Sequence, residues 1–284
     1  MKGIGETLGV SRSNLYERRQ REVSSSRGNY RKAEDEVLVP LIREIVDQRP
    51  TYGYPRTTAI LNRRLQGLGR VRVNHKRVYR IMKRNGLLLE RYIGRPARIH
   101  EGEIVTPASN KRWCSDIFEI PCWNRDRVRV VFVMDCCDRE VISYLASTSG
   151  ISGEMIRDLM VEAIEARFGL VDHSPHRIEW LSDNGSAYTA SQTWSFAASL
   201  GLVACRTPVE SPESNGMAEA FIKTFKRDYV CLHRLDSAQV VMEQLPRWFE
   251  DYNENHPHKG LKMMSPREYR QSLTNLVQCP VSWG

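Results

Sequence analysis

Three consecutive segments between residues 112 and 148 have the apolar pattern of β-strands, and they follow a stretch with helical spacing. The three segments cover 112–122, 127–138 and 140–148, with short polar turns between them. The later elements are expected as a helix at 153–168, a strand at 177–182, a helix near 190–200, a strand at 202–205, and helices near 214–230 and 237–253. Three antiparallel strands followed by alternating helices and strands predict an α/β domain with a mixed sheet.

Three short helices are expected before these strands. The second is expected to bury Ala59, Ile60 and Leu61. The third covers 74–85, with Asn74 as its N-cap and Gly86 as its end. Its residues facing the core are expected to be Val78, Tyr79, Ile81 and Met82, and its other surface carries Lys76, Arg77, Arg80, Lys83 and Arg84. Helices with a basic last member favour a small DNA-binding module over a merely soluble bundle.

The changes of pattern divide the chain into five parts. They are a partial helix-turn-helix at 1–22, a helical DNA-binding module at 34–90, a linker at 91–110, an α/β core at 111–272 and a C-terminal tail at 273–284. The half helix-turn-helix suggests that an upstream reading frame supplies the remainder.

Charge is distributed unevenly along the chain. Residues 1–100 hold 23 Lys/Arg against 9 Asp/Glu, whereas residues 101–284 hold 19 against 25. This distribution predicts that the basic N-terminal part binds a polyanion and that the acidic C-terminal part uses carboxylates in its function. The sequence has no signal peptide or transmembrane run, so a cytoplasmic protein is expected. The seven cysteines lack Cys-x-x-Cys spacing and are expected as thiols rather than disulfides or zinc ligands.

Two carboxylates are placed on strands. Asp116 shares a strand face with apolar residues, where a carboxylate is costly unless it is paired or bound to a metal. Asp183 ends an apolar strand, at the edge where α/β sheets bind ligands. The Asn184-Gly185 pair that follows is also a common turn signal, so Asp183 as a turn-opening residue remains the alternative.

A third carboxylate, Glu219, lies on a helix with Lys223 and Lys226 on the same stripe. The ordinary interpretation is a surface Glu-to-Lys pair, and the functional one is a metal ligand followed by two phosphate contacts. Four other candidates are set aside. Glu119 is expected in solvent, Asp135 is expected to pair with Arg139, and His256 and His258 are expected to be structural.

Three carboxylates can hold two Mg²⁺ ions for phosphodiester cleavage and transfer. Oxygen ligands without a Cys/His cluster suit Mg²⁺, with Mn²⁺ as a substitute, rather than zinc. Composition cannot select this trio from the 25 acids after residue 100.

Motifs in residues 112–270 select this trio of carboxylates, because they resemble the motifs of a known family. Trp113 and Asp116 in "RWCSDIFE", the Asp183-Asn184-Gly185 run, and Glu219 with Lys226 seven residues later resemble the catalytic domain of retroviral-integrase-type DDE transposases. The 35 residues between Asp183 and Glu219 match the spacing of that superfamily. "PTYGYPRTTAILNRRL" and "YNENHPHKGLKMMSPREY" resemble segments of one bacterial group, whose downstream-frame product this chain is similar to, close to insertion sequence two.

The resemblance implies a ribonuclease H-like catalytic domain preceded by a small all-α helix-turn-helix-type DNA-binding module. It also implies two-ion Mg²⁺-dependent cleavage at the element's inverted-repeat ends and attack by the freed 3′-hydroxyl. Asp116, Asp183 and Glu219 would be the catalytic and metal-binding residues. The implied partners are end and target DNA, the upstream-frame protein as a frameshift fusion, and at least a second copy of the chain, in the bacterial cytoplasm on nucleoid DNA. The alternatives are a non-catalytic DNA-binding regulator and a ribonuclease H-like nuclease without strand transfer.

Overall fold

The computed structural model describes residues 34–90, 106–182, 188, 190–206 and 216–278, without the side chains of 206 and 276–278. The expected partial helix-turn-helix at 1–22, most of the linker, Asp183 and Cys279 lie outside the described residues. The six cysteines within those residues are free thiols, as expected. None of the helices in the described ranges has the length and apolar character needed to cross a membrane.

Three helices form the N-terminal module: α1 (Asp35–Gln48), α2 (Tyr54–Gly67) and α3 (His75–Arg84). Asn74 caps α3 as predicted, because its side chain accepts the backbone N–H of Lys76. The shared core contains Leu38, Ile42, Ile45, Leu61, Leu65, Val78, Ile81 and Met82.

Two predictions for the core of this module were wrong. Ala59 is only half-buried, and the buried positions of α2 are Thr57, Thr58, Leu61 and Leu65. Tyr79 is exposed rather than internal, and its ring packs edge-on against Tyr54 at 5.1 Å. The hydroxyl groups of Thr57 and Thr58 donate hydrogen bonds to backbone carbonyls of the preceding turn, so these polar groups are satisfied although they are buried on α2.

The α/β domain is built on five strands: β1 (Arg112–Pro121), β2 (Arg127–Asp135), β3 (Val141–Ser147), β4 (Ile178–Ser182) and β5 (Leu202–Arg206). Their order is β3-β2-β1-β4-β5. The first three strands are antiparallel, and β4 runs parallel to both β1 and β5. The predicted mixed sheet is therefore confirmed.

Helices cover both faces of this sheet. Along β2, Val131 and Val133 face α4 (Gly153–Phe168) and α5 (Ser191–Ser199), and α4 has the predicted bounds. The alternate residues Val130 and Phe132 face α6 (Gly216–Asp228) and α7 (Ala238–Asn255). The last helix, α8 (Pro266–Gln278), continues past residue 272, where the core was expected to end.

Asp135 does not pair with Arg139, so that prediction was wrong. Its carboxylate is fully buried and accepts backbone N–H groups of Asn110, Cys137 and Asp138. Burial, followed by the nearby Asp138 charge, raises the pKa of Asp135 to about 6. Asp135 therefore organises the turn after β2.

Glu119 is not simply solvated. It accepts hydrogen bonds from Arg129 at 2.8 Å and from Arg127 at 3.2 Å, which are both on the neighbouring strand. These ion pairs lower the pKa of Glu119, with the Arg129 hydrogen bond as the largest cause. Glu119 is thus a cross-strand partner on the sheet face opposite Asp116.

The helical module is docked on the α/β domain through paired polar groups. Arg49 binds Asp251 through two hydrogen bonds, at 2.5 and 2.6 Å. The buried Tyr52 hydroxyl lies 2.9 Å from Nδ1 of His256. Two arginines of α2 form further ion pairs with the α/β domain: Arg56 pairs with Asp228, and Arg63 pairs with Glu268. This interface fixes the module against the ends of α6 and α7.

Candidate active site

Asp116 lies in the middle of β1 on the face covered by α6. Alternation along the strand places it between Cys114 and Phe118, which are both buried in the core on that face. Asp116 itself is half-buried, and its Oδ1 accepts the backbone N–H of Ile117. Asp116 is therefore a partly solvated carboxylate beside an apolar core.

Glu219 lies in the first turn of α6, next to the buried Ala218. Its side chain is 51% exposed, and Oε2 lies 3.5 Å from Nζ of Lys223. This is the ordinary i,i+4 surface pair on an exposed part of the helix. The ordinary interpretation of Glu219 is therefore correct as geometry and compatible with a metal role.

Aromatic packing holds the Glu219 helix on the Asp116 face of β1. The ring of Phe225 lies 5.8 Å from Phe118, and Phe221 lies 4.5 Å from Phe132 of β2. Nζ of Lys226 lies 5.7 Å above the Phe118 ring, within cation–π range. The structure thus brings Lys226 to within two residues of Asp116 along β1.

Asp183 lies outside the described residues, but the chain on both sides of it is fixed to β1. In the parallel pairing of β1 with β4, Cys114 is opposite Leu181. After Asp183, the hydroxyl of Tyr188 lies 2.7 Å from Oγ of Ser115, the residue before Asp116. Both groups are buried. Sequence reasoning missed this anchor, because nothing in either residue's neighbours signals a contact 73 positions apart.

The thiol nearest to Asp116 along β1 is protonated. Cys114 is the neighbouring sulfur, and the Cys136 hydrogen bond, followed by burial, raises the pKa of its thiol well above the usual value. A protonated thiol is a poor metal ligand. Within the described ranges no three His, Cys, Asp or Glu side chains form a metal-binding group, and only two of the predicted trio are described.

His256 and His258 are structural, as predicted. Both are buried at the module interface, with ring centroids 4.8 Å apart. Burial lowers the pKa of His258 to about 3 and that of His256 well below its usual value. Both imidazoles are therefore neutral and enclosed, and His256 stacks on Tyr252 at 5.4 Å.

The predicted cations of α3 fall into two groups. Arg77 is half-buried and binds Asp35 at 2.6 Å and Glu34 at 3.3 Å, so it ties α3 to α1. Lys76, Arg80, Lys83 and Arg84 are exposed.

Family models match most of the described chain. An integrase core domain model matches residues 106–212, a second integrase core domain model matches 201–266, and an HTH-like domain model matches 32–93. The chain is 44% identical over 276 residues to the transposase InsD for insertion element IS2D of Escherichia coli K12, covering 96% of this chain and 91% of that protein. The same identity and coverage hold for transposase InsD of IS2A/D/F/H/I/K from Escherichia coli.

Solved structures with a similar fold are more distant. A chain of the simian T-cell lymphotropic virus intasome is 15% identical, with a TM-score of 0.49 over 86% of this chain and 76% of that chain. The catalytic domain of Mos1 mariner transposase is 16% identical, with a TM-score of 0.42 over 59% of this chain and 77% of that chain. The integrase core and HTH-like matches confirm the ribonuclease H-like and all-helical parts expected from the sequence.

Proposed function

Since the chain belongs to the transposase family of insertion element IS2, we propose that Asp116, Asp183 and Glu219 form its active site. The family makes it a DNA transposase and a polynucleotidyl transferase. The observation that carries the assignment of residues is the packing of α6, with Glu219, on the face of β1 that holds Asp116.

The register of the sheet supports including Asp183. Cys114 and Leu181 are opposite each other in the parallel pairing of β1 with β4. Asp116 comes two residues after Cys114, and Asp183 comes two residues after Leu181. Three carboxylates fit Mg²⁺, with Mn²⁺ as a substitute, and two ions per site. Bound ions would supply Lewis-acid activation of the attacking oxygen and stabilise the leaving oxygen.

The residues around the carboxylates bind and orient the DNA. Lys223 is 78% exposed and pairs with Glu219, so its ammonium is available to a phosphate once the carboxylate is engaged. Lys226 is held over Phe118, which places a second cation beside the Asp116 face. Both lysines then contact the phosphates that flank the scissile bond.

The helical module binds the same DNA through contacts that do not depend on base sequence. Its exposed cations on α3 are Lys76, Arg80, Lys83 and Arg84, whereas Arg77 acts by tying α3 to α1. We further propose that the chain works as a frameshift fusion with the upstream-frame protein, as at least a dimer on two element ends, on nucleoid DNA in the cytoplasm.

A strand-joining assay tests this function. The chain, alone and fused to the upstream-frame product, is incubated with Mg²⁺ and supercoiled DNA carrying the element's ends. We expect joined single-strand products that disappear in Asp116→Asn and Asp183→Ala. Glu119→Gln, on the opposite face of β1, is the matched control and should retain activity.

Three other outcomes separate the alternatives. Wild-type activity in Asp183→Ala would refute the active-site assignment. DNA binding without cleavage would favour the regulator, and hydrolysis without joining would favour a plain nuclease.

A further inference from the structure

A groove of about 790 Å³ lies where the helical module meets the α/β domain. One side is formed by α2 and by residues 72–75 at the start of α3. The other is formed by the turn at 262–264 and by Glu268 of α8. It lies outside the Asp116 site, and neither the carboxylate trio nor the lysines of α6 contribute to it.

The charges at this groove are mainly positive. Arg72 and Lys262 are exposed on its two sides, and neither makes an ion pair with another described residue. The acid in its lining, Glu268, is neutralised by Arg63, whose Nη2 lies 2.5 Å from Oε2. The groove therefore presents two uncompensated cations to an anion entering from solvent.

An aromatic surface lies beside these cations. The Tyr54 ring stacks on His75 at 6.3 Å, and both residues line the groove. His75 is the first residue of α3, and Lys76 follows it on the exposed surface. The groove thus continues the basic surface of α3 onto the α/β domain.

The turn that carries Lys262 has an unusual backbone. Lys262 and Met263 both have left-handed conformations, with φ of 55° and 65°, which side chains other than glycine rarely adopt. Hydrogen bonds hold this turn: the Met263 N–H donates to His258 O at 2.8 Å, and Arg63 donates to Met263 O at 3.2 Å. Retention of such a conformation is common where a side chain must be presented to a ligand.

We propose that this groove binds the sugar–phosphate backbone of DNA, with Arg72 and Lys262 contacting phosphates from its two sides. The proposal deepens the proposed function, because it rests on DNA being the substrate. It differs from a contact by α3 alone, since half of the groove belongs to the α/β domain. The docked arrangement of module and domain is then part of the DNA-binding surface.

The test is equilibrium binding of the full chain to a fluorescent DNA duplex of generic sequence, in EDTA, over a series of KCl concentrations. The logarithm of the DNA association constant falls linearly with the logarithm of the salt concentration, and each lost phosphate contact makes this negative slope shallower by about 0.9. We expect that reduction in Arg72→Gln and in Lys262→Gln, and about twice that reduction in the double variant. Arg72→Lys keeps the charge and should keep the slope.

Two matched controls remove equal charge just outside the groove. Arg70 and Lys259 are exposed neighbours on the same two segments and do not line it. Arg70→Gln and Lys259→Gln should leave the slope unchanged, and thermal unfolding confirms that each variant is folded. Equal slopes for the groove and control variants would overturn the proposal. Because the assay contains no divalent ion, it succeeds or fails independently of the catalytic assignment.

Discussion

Arg56 and Asp228 connect the helical module to the helix that carries Glu219, with Arg56 Nη1 3.0 Å from Asp228 Oδ2. Asp228 is the last residue of α6, its side chain is 1% exposed, and Arg227 also donates to it. The end of the helix that carries Glu219 is thus fixed by the helical module.

Asp228→Ala should lower the free energy of unfolding by about 2 kcal/mol, because it removes the buried carboxylate that accepts charged hydrogen bonds from Arg56 and Arg227. Urea denaturation measures this change. Asp236→Ala breaks the exposed pair with Arg234 and should cost less than about 1 kcal/mol. Similar losses in the two variants would show that the Arg56–Asp228 contact does not hold the domains together.

His258 should make the protein less stable in acid. Its folded pKa is about 3, below the unfolded value of about 6.5, so the unfolded state gains a proton first as the pH falls. Above pH 6.5 this histidine does not change the free energy of unfolding. Between about pH 6.5 and pH 3 it lowers the free energy of unfolding by about 1.4 kcal/mol for each pH unit of acidification. Desolvation is the main cause, followed by the charges of Arg139 and Arg56.

The measurement is the free energy of unfolding against pH for wild type and His258→Gln. The variant should lose less stability per pH unit, whereas His173→Gln, at an exposed site, should follow wild type. The difference between curves is decisive, because the raised pKa of Asp135 changes stability in the opposite direction. Parallel curves for wild type and His258→Gln would contradict the prediction.

Tyr188→Phe should reduce strand cleavage more than DNA binding. The lost hydroxyl leaves the buried Ser115 Oγ without that partner beside Asp116, at a cost of about 1 kcal/mol in stability. Tyr144→Phe is the control, since its half-buried ring stacks on Phe249 and lies on β3, two strands away from Asp116. If cleavage at saturating DNA is unchanged in Tyr188→Phe, the anchor has no part in positioning the site.

Lys226→Gln should weaken DNA binding most at low salt. A protein with one phosphate contact fewer has a shallower salt dependence, so its defect relative to wild type shrinks as KCl increases. Binding titrations across a salt series measure this convergence, with Lys259→Gln as the control. A defect that is constant across the series would argue that Lys226 acts through its packing on Phe118.

The sequence predicted the elements whose neighbours in the chain determine them. Alternation predicted β1 to β3, and the bounds of α4 agree at both ends. The cap by Asn74 was also predictable, because it satisfies a backbone group two residues away.

The failures involve partners that are distant in the chain. Asp135 was assigned to the adjacent Arg139, but its hydrogen-bond donors include Asn110, 25 residues earlier. Tyr79 follows the helical pattern of a core residue, yet it packs on Tyr54 at the surface. The docking of the module through Arg49 and Asp251 spans 202 residues, and no local pattern indicates it. The predicted active-site trio was selected by resemblance, since local chemistry fits many acids equally well.

The central claim is that Glu219 contacts a divalent metal ion, and its most direct test is a Glu219→Cys variant assayed for strand cleavage in Mg²⁺ and in Mn²⁺. A thiolate suits Mg²⁺ poorly and a softer ion better. We therefore expect a loss of at least ~10²-fold in Mg²⁺, above the range for outer partners of a metal site, with partial recovery in Mn²⁺. Lys223→Cys, one turn away, should show no such dependence on the metal. Wild-type cleavage by Glu219→Cys in Mg²⁺, or an equal loss with both ions, would contradict the assignment of Glu219 as a ligand.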